Sequence, residues 1–254
     1  MTRRARKDEL KALASHFDSR STGFDTSAWV DDTNIVSLFV KLLDCDNGIV
    51  LDLAGGTGAL SVKLRNIYPQ CRFVNIDISF GMALVAASKA ITSIIADATA
   101  LPLPNNSVDA ILLRQALHYI DTPSKALKEC RRVLRAGGVL LLGQFVPFDE
   151  ADRQWMLKTF SVHQRFVRGV YTVTDLERLL TAAGFRITAT DSCIVTESLT
   201  RWIRRYNHAN SQEIEAKLRI AFKEKIEHGG ERRLFNCDAD ICFENRFIAI
   251  QARI

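Results

Sequence analysis

The chain has 254 residues, 47% apolar and 25% charged, with 13 glycines and 5 prolines. Those proportions exclude a disordered, collagen-like or fibrous protein and suit one globular α/β domain over 1–254, since a second full-sized core would not fit comfortably. The net charge of +5 is concentrated in residues 1–20 and 198–235. Two basic segments favour an acidic substrate or an anionic surface, or form two solvated helix faces.

Taken in chain order, residues 1–47 read as a helical N-terminal cap with Phe17, Phe24 and Trp29 as apolar points. The basic start, Met1 to Asp8, lacks the apolar core of a secretory signal. No run approaches the ~20 apolar residues needed to span a bilayer, so a cytoplasmic protein without a membrane span is expected. From residue 48, short apolar runs alternate with helical patterns, as in a parallel sheet covered on both faces. Strands are predicted at Gly48–Ala54, Arg72–Asp77, Ser93–Asp97, Val108–Arg114 and Val139–Gly143, then over Phe185–Val195 and Ile241–Ile254. Helices follow the first two strands. A third runs from a Thr122 cap and Pro123 to Gly137–Gly138, and a fourth from a Thr174–Glu177 capping box to Gly184. Two segments stand outside this alternation. Residues 144–173 are rich in aromatics (Phe145, Phe148, Trp155, Phe160, Phe166, Tyr171), and residues 198–235 hold a helix with Ile214, Leu218, Phe222 and Ile226 on one face. In an open α/β sheet the ligand lies beyond the carboxyl ends of the strands, so both segments are expected to roof that crevice.

Six cysteines (Cys45, Cys71, Cys130, Cys193, Cys237, Cys242) show neither a C-x-x-C pair nor zinc-finger spacing. Neither a metal site nor a disulfide framework is expected, and the closeness of Cys237 to Cys242 reads as incidental.

Leu51-Asp-Leu-Ala-Gly-Gly-Thr-Gly58 ends a strand and opens a helix. Glycines there let the chain turn sharply and let a ligand approach main-chain N–H groups. Asp77, at the end of the second strand, suits a ribose diol. Nicotinamide enzymes share this geometry, but their third glycine would fall at Ser61, and such a site does not require Asp52.

With these residues in place, the chain resembles the class I S-adenosylmethionine-dependent methyltransferases from about residue 15 to 195. Ala54 stands where the family usually has its first glycine, a form similar to the ubiquinone and menaquinone biosynthesis C-methyltransferases. Asp97 to Asp109 and Arg131 to Leu140 match the family's later segments. The resemblance implies a doubly wound, seven-stranded, mostly parallel sheet whose last strand is antiparallel, with residues 48–143 as the cofactor-binding half. It also implies roles for individual residues. Ala54, Gly55, Gly56 and Gly58 would hold the methionine part of S-adenosyl-L-methionine, and Asp52 would either join them in binding the cofactor or only tether the loop. Asp77 would bind the ribose and Ile78 pack on the adenine. Asp97 and the Ala98 N–H would meet the adenine edge, Arg114 would offer its carbonyl, and Phe24 would close over the cofactor.

Because the sulfonium methyl is already activated, the protein has only to align a nucleophile and take up a proton. Candidates over the crevice are His118, Tyr119, His163, Tyr171 and Gln144, with His118 and His163 as the catalytic pair to test. Phe148, Trp155 and Arg205 are the expected substrate contacts, within a basic and aromatic cluster at Trp202, Arg204, Arg205 and Tyr206. The expected acceptor is a small, aromatic or anionic metabolite. An RNA methyltransferase or a non-catalytic cofactor-binding protein is the alternative, although no RNA-binding module is evident and no specific nucleic acid is expected. The sequence sets no oligomeric state.

Overall fold

A computed structural model of the chain describes residues 2–164, 166–204, 211–230, 232–238 and 240–254. In chain order its elements are α1 (Arg3–Asp18), α2 (Ala28–Asp31), α3 (Thr33–Leu42), β1 (Gly48–Leu53), α4 (Ala59–Ile67), β2 (Cys71–Asp77), α5 (Phe80–Ser88), β3 (Thr92–Ile95) and β4 (Val108–Arg114). They continue with α6 (Pro123–Val133), β5 (Leu134–Val146), α7 (Glu150–His163), α8 (Val173–Ala182), β6 (Arg186–Ser198), α9 (Leu199–Arg204), α10 (Ser211–His228), β7 (Leu234–Cys237) and β8 (Asp240–Arg253). The sheet runs in the order β3-β2-β1-β4-β5-β8-β6. The β1, β2, β3, β4 and β5 pairings are parallel, and β8 runs antiparallel to both β5 and β6.

Side chains alternate across a strand, and here both sets are apolar. Leu51, Ile111, Leu113, Leu140 and Leu142 face Leu127 and Cys130 of α6 and Leu176 and Leu180 of α8. Their neighbours Val50, Ala110, Leu112, Val139 and Leu141 face Phe39 of α3 and Leu60 and Leu64 of α4. Two covered faces are why these strands read as unbroken apolar runs in the sequence. Truncating any fully buried leucine among them to alanine would cost about 2–5 kcal/mol.

The differences from expectation are local. Helix α6 stops at Val133 and the chain turns directly into β5, so Gly137 (φ +77°) bends the early part of that strand and does not end the helix. The Thr122 hydroxyl bonds Asp121 (2.8 Å) and does not cap α6. The capping box of α8 lies two residues earlier than predicted. Asp175 N–H donates to Thr172 Oγ1 at 3.1 Å, and Thr172 N–H donates to Asp175 Oδ2 at 3.0 Å. An additional strand, β7, forms a hairpin with β8. That hairpin brings Cys237 and Cys242 to a Cα separation of 5.9 Å, where they form a disulfide. Their spacing is therefore not incidental, because a tight hairpin sets cysteines five residues apart within bridging range. Cys45, Cys71 and Cys130 are buried free thiols, and burial pushes Cys45 and Cys130 up to about 12.

Residues 144–173 and 198–235 build α7, α9 and α10 around a separate apolar cluster of Trp202, Leu218, Phe222 and Phe243. An ion pair with no solvent exposure to speak of ties this cluster to the sheet. Arg232 Nε donates to Asp152 (2.7 Å), with the two side chains 1% and 0% exposed, and Arg232 Nη1 reaches Asn245 on β8 (2.7 Å). Among the described residues no helix is long and apolar enough to cross a membrane. Among the same residues no group of three or more His, Cys, Asp or Glu is arranged to hold a metal ion.

Candidate active site

Every parallel strand delivers its carboxyl end to one cavity. Its floor is lined by Asp52 to Thr57 after β1, Asp77 and Ile78 after β2, Asp97 and Ala98 after β3, and Arg114, Gln115 and His118 after β4. The strand order reverses at β1 and β4, and a crevice outside such a reversal is where open α/β sheets take ligands.

The glycine loop owes its shape to what lies beneath it. A Cβ on Gly55 would sit 2.3 Å from Asn75 Oδ1 and 2.4 Å from Asp52 Cγ, so only glycine fits over these side chains. Gly56 needs glycine for a different reason. Its φ is +58°, whereas a Cβ there would meet nothing closer than 3.8 Å. Ala54 also sits at positive φ (+51°), a conformation that disfavours residues with a Cβ. Gly58 is left-handed as well, but it starts α4 against Ala86 and does not line the cavity.

Four buried charged groups surround this loop. Asp52 accepts from Ser61 Oγ (2.7 Å), and burial raises its carboxyl above the usual range. Asp77 accepts from Gly56 N–H and Ser79 N–H, both at 2.9 Å, and burial pushes it up to about 6. The Arg114 side chain donates to Val30 O (3.2 Å) and lies over the Trp29 ring, 5.0 Å from its centroid. Burial lowers its pKa, and Asp52 opposes that shift. Arg20, which was read only as part of the basic N-terminus, is buried on the cavity wall between Phe17 (5.3 Å) and Phe24 (5.5 Å).

Asp97 holds α1 in place. Its Oδ2 accepts from Arg6 and from Thr99 Oγ1, each at 2.9 Å, and its Oδ1 accepts from Thr99 N–H at 2.9 Å. A carboxylate offers about four lone-pair positions, so one remains on Oδ1. Arg6 also bonds Asp121 (2.8 Å), which raises the guanidinium pKa.

The roof differs from expectation. Met156 and Phe160 of α7, Trp202 of α9, and Phe243 and Asn245 of β8 line the cavity, together with Phe145. Phe148 and Trp155 do not. Both lie against the Arg232 guanidinium, at 5.3 and 5.6 Å, and Trp155 packs on Phe222 of α10. Met156 and Phe160 share one face of α7, four residues apart, and Trp155 occupies the adjacent face turned to α10. Phe166 packs on His16 and Tyr171 sits against the main core, so neither reaches the cavity. Arg205 and Tyr206, and the side chains of His163 and Arg204, lie outside the described residues. Arg201 is exposed, 3.6 Å from Glu197.

His118 is brought to the cavity as predicted. It follows β4 in a short 3-10 turn, and burial lowers its pKa to about 4, so the ring is neutral at pH 7. Gln144 Nε2 lies 2.9 Å from His118 Nδ1 and also donates to Gln115 Oε1 (3.1 Å). Tyr119 donates to Gln164 Oε1 (2.6 Å). Gln115 was not singled out from the sequence. Its signal, a left-handed φ of +53° on a residue with a long side chain, exists only in three dimensions.

Comparison with known proteins agrees with this geometry. Residues 51–142 match a family described as a methyltransferase domain. A ubiquinone/menaquinone biosynthesis C-methyltransferase of Hahella chejuensis is 33% identical over 147 residues, covering 52% of this chain and 59% of that one. A malonyl-[acyl-carrier protein] O-methyltransferase of Coxiella burnetii is 30% identical over 150 residues, covering 59% and 50%. The chain thus spans between half and three-fifths of the length of these curated relatives. Among solved structures, a Bacillus halodurans protein superposes with a TM-score of 0.77 over 87% of this chain and 98% of its own, at 22% identity, which is a likeness of fold.

Proposed function

We propose, from the premise that residues 51–142 form a methyltransferase-family domain, that the protein is an S-adenosylmethionine-dependent methyltransferase acting on a small, largely apolar acceptor. One observation carries the reading. A single cavity is bounded by the glycine loop, Asp77 and Asp97 on one side and by Met156, Phe160 and Trp202 on the other. The floor suits a nucleoside-bearing cofactor and the roof suits an aromatic body.

The donor set on the floor fits that cofactor. Asp77 keeps lone pairs beyond its bonds to Gly56 and Ser79, which supports the ribose role. The remaining lone pair of Asp97, the Ala98 N–H and Ile78 suit the adenine, and the backbone of Ala54 to Gly56 with the Arg114 carbonyl suits the methionine end. Phe24, 3.8 Å from where a Gly56 Cβ would stand, suits closure over it. Arg20 adds a positive charge on the same wall for the cofactor carboxylate. When bound, the cofactor supplies an electrophilic methyl group. The protein then has to align the acceptor and exclude water, and His118 is the side chain we assign to touch the acceptor.

The two matched relatives carry carbon and oxygen methylation in their names, so the shared floor does not dictate the acceptor atom. The roof supports an aromatic acceptor more than an anionic one, since its cavity-facing residues are chiefly aromatic and amide groups. Calorimetry tests the reading directly. S-adenosylhomocysteine should bind and NAD should not; binding of NAD alone would overturn it.

A further inference from the structure

Gln144 is out of place in its strand. It stands in β5 between Gly143 and Phe145, in a run that is otherwise apolar from Val139 to Val146, and it is 4% exposed. Its Oε1 has no hydrogen-bond partner, and neither has Gln115 Nε2. Leaving a buried polar group unmade costs about 1–3 kcal/mol. Gln115 adds backbone strain, with φ at +53° immediately after β4, while its N–H donates to Gly143 O (2.8 Å) to continue the ladder. Strain and unmet polar groups gathered in one cavity are what a ligand-reading site looks like before its ligand arrives.

The bonding pattern favours one direction for the cluster. Gln144 Nε2 is shared between Gln115 Oε1 and His118 Nδ1. Either orientation leaves one amide NH₂ and one carbonyl unpaired. Turning both amides over would move the unpaired NH₂ from the half-buried Gln115 to Gln144, which is the more deeply buried residue and better keeps its carbonyl there. The favoured arrangement has Gln144 donating to Gln115 Oε1 and to the lone pair of His118 Nδ1. A neutral imidazole accepting at Nδ1 carries its proton on Nε2, and His118 Nε2 has no partner among the described residues.

Resting on the methyltransferase reading, we infer that Gln115 and Gln144 form a linked amide pair that reads the acceptor and sets the His118 tautomer. The pair offers one N–H donor (Gln115) and one carbonyl acceptor (Gln144), and His118 adds an Nε2–H. The matching ligand is a neutral planar ring with a hydrogen-bond acceptor beside a hydroxyl or a ring N–H. His118 is then a donor that holds the acceptor's oxygen in place; it does not take the proton, which the methylated group gives up to water as the product leaves. Gln144 is a positioning residue for His118, and Gln115 a specificity-determining one.

Two measurements test this separately from the methyl-transfer reading. First, in the ¹⁵N-labelled protein with S-adenosylhomocysteine, the His118 ring signals should show a single Nε2–H tautomer at pH 7, and Gln144→Met should turn it into a mixture. An Nδ1–H tautomer in the unsubstituted protein would overturn the proposal, whatever the fate of the enzyme reading. Second, catechol and 2-pyridone, which present a hydroxyl or an N–H donor beside an acceptor, should bind at least tenfold more tightly than anisole or benzoate. Gln115→Met should erase that difference in a protein that still binds S-adenosylhomocysteine. Preferential binding of benzoate, or an unaltered ranking in Gln115→Met, would sink the assignment. A protein that binds no S-adenosylhomocysteine yet has the Nε2–H tautomer would fail the function and keep the cluster.

Discussion

The floor and the roof of the cavity are built in different ways. The floor is built mostly from backbone turns at the strand ends: residues 52–58 form one turn, and Asp77 and Asp97 each bond a residue two positions on, with longer ties from Asp77 to Gly56 and from Asp97 to Arg6. The roof is long-range. Its central pair, Arg232 with Asp152, joins residues 80 positions apart, and the aromatic rings around it come from α7, α9, α10 and β8. A cofactor platform can therefore be set by local backbone geometry, whereas acceptor choice depends on how distant helices pack.

The sharpest way to break that contrast is to remove the roof's buried ion pair. Asp152→Ala strands a guanidinium that is 1% exposed, and breaking such a pair costs about 3–5 kcal/mol. Thermal unfolding should shift down by roughly 2–4 °C for each kcal/mol. Calorimetry on the still-folded protein should find S-adenosylhomocysteine binding nearly intact. Equal loss of both would show that floor and roof are one cooperative unit.

Next in size is Asp77→Ala on the floor. Hydrogen bonds to a charged acceptor are worth about 1.5–3 kcal/mol each, so cofactor affinity should fall at least about tenfold while acceptor binding changes little. Unchanged cofactor affinity would remove Asp77 from the ribose site.

A pH series refines the same residue. In the proposed site ribose hydroxyls would donate to the ionised carboxylate, and burial pushes Asp77 up to about 6. Cofactor affinity should be flat above about pH 7 and fall as pH drops through 6. The effect on stability has the opposite sign. The folded pKa lies above the ordinary 3.8, so the group favours the fold at pH below 3.8 and loses that contribution as pH rises through 6. Affinity independent of pH from 5 to 8 would argue against an ionisable ribose contact.

The smallest expected effect is Ala54→Gly, which relieves a left-handed residue at φ +51°. Denaturant melts should show a gain of up to about 1 kcal/mol, the relief being partly offset by the freer unfolded chain. A loss of stability would mean that the Ala54 methyl is needed where it packs.

The same contrast explains what could be read from the sequence. Strands buried on both faces announce themselves as apolar runs, and Asp52, Asp77 and Asp97 sit at fixed offsets from those runs. Phe148 and Trp155 were expected at the cavity because they are aromatic and lie after β5, yet helical phase turned Met156 and Phe160 inward. Nothing near Trp155 in the sequence reveals the arginine 77 positions later that holds it. The Cys237–Cys242 bridge went unread for a similar reason, since it depends on β7, a strand of four residues that no periodicity marks. Gln115 and Gln144 are ordinary polar residues until their unmet atoms are found facing each other.

The placement of α1 bears on timing more than on affinity. Asp18, at its far end, accepts from Ser79 Oγ (2.6 Å) and Gly81 N–H (2.8 Å) at the start of α5. Its near end is tied by Arg6 to Asp97 and Asp121, and by Glu9 to Arg168. Leu10, Leu13 and Phe17 between these ties line the cavity. A molecule leaving across this wall has to wait for the ties at the near end to open, so its dwell time follows the opening rate of partly exposed ion pairs. Salt screens such pairs, and stopped-flow release of S-adenosylhomocysteine should quicken with ionic strength, with a weaker dependence in Arg6→Ala, which keeps only the Glu9–Arg168 tie.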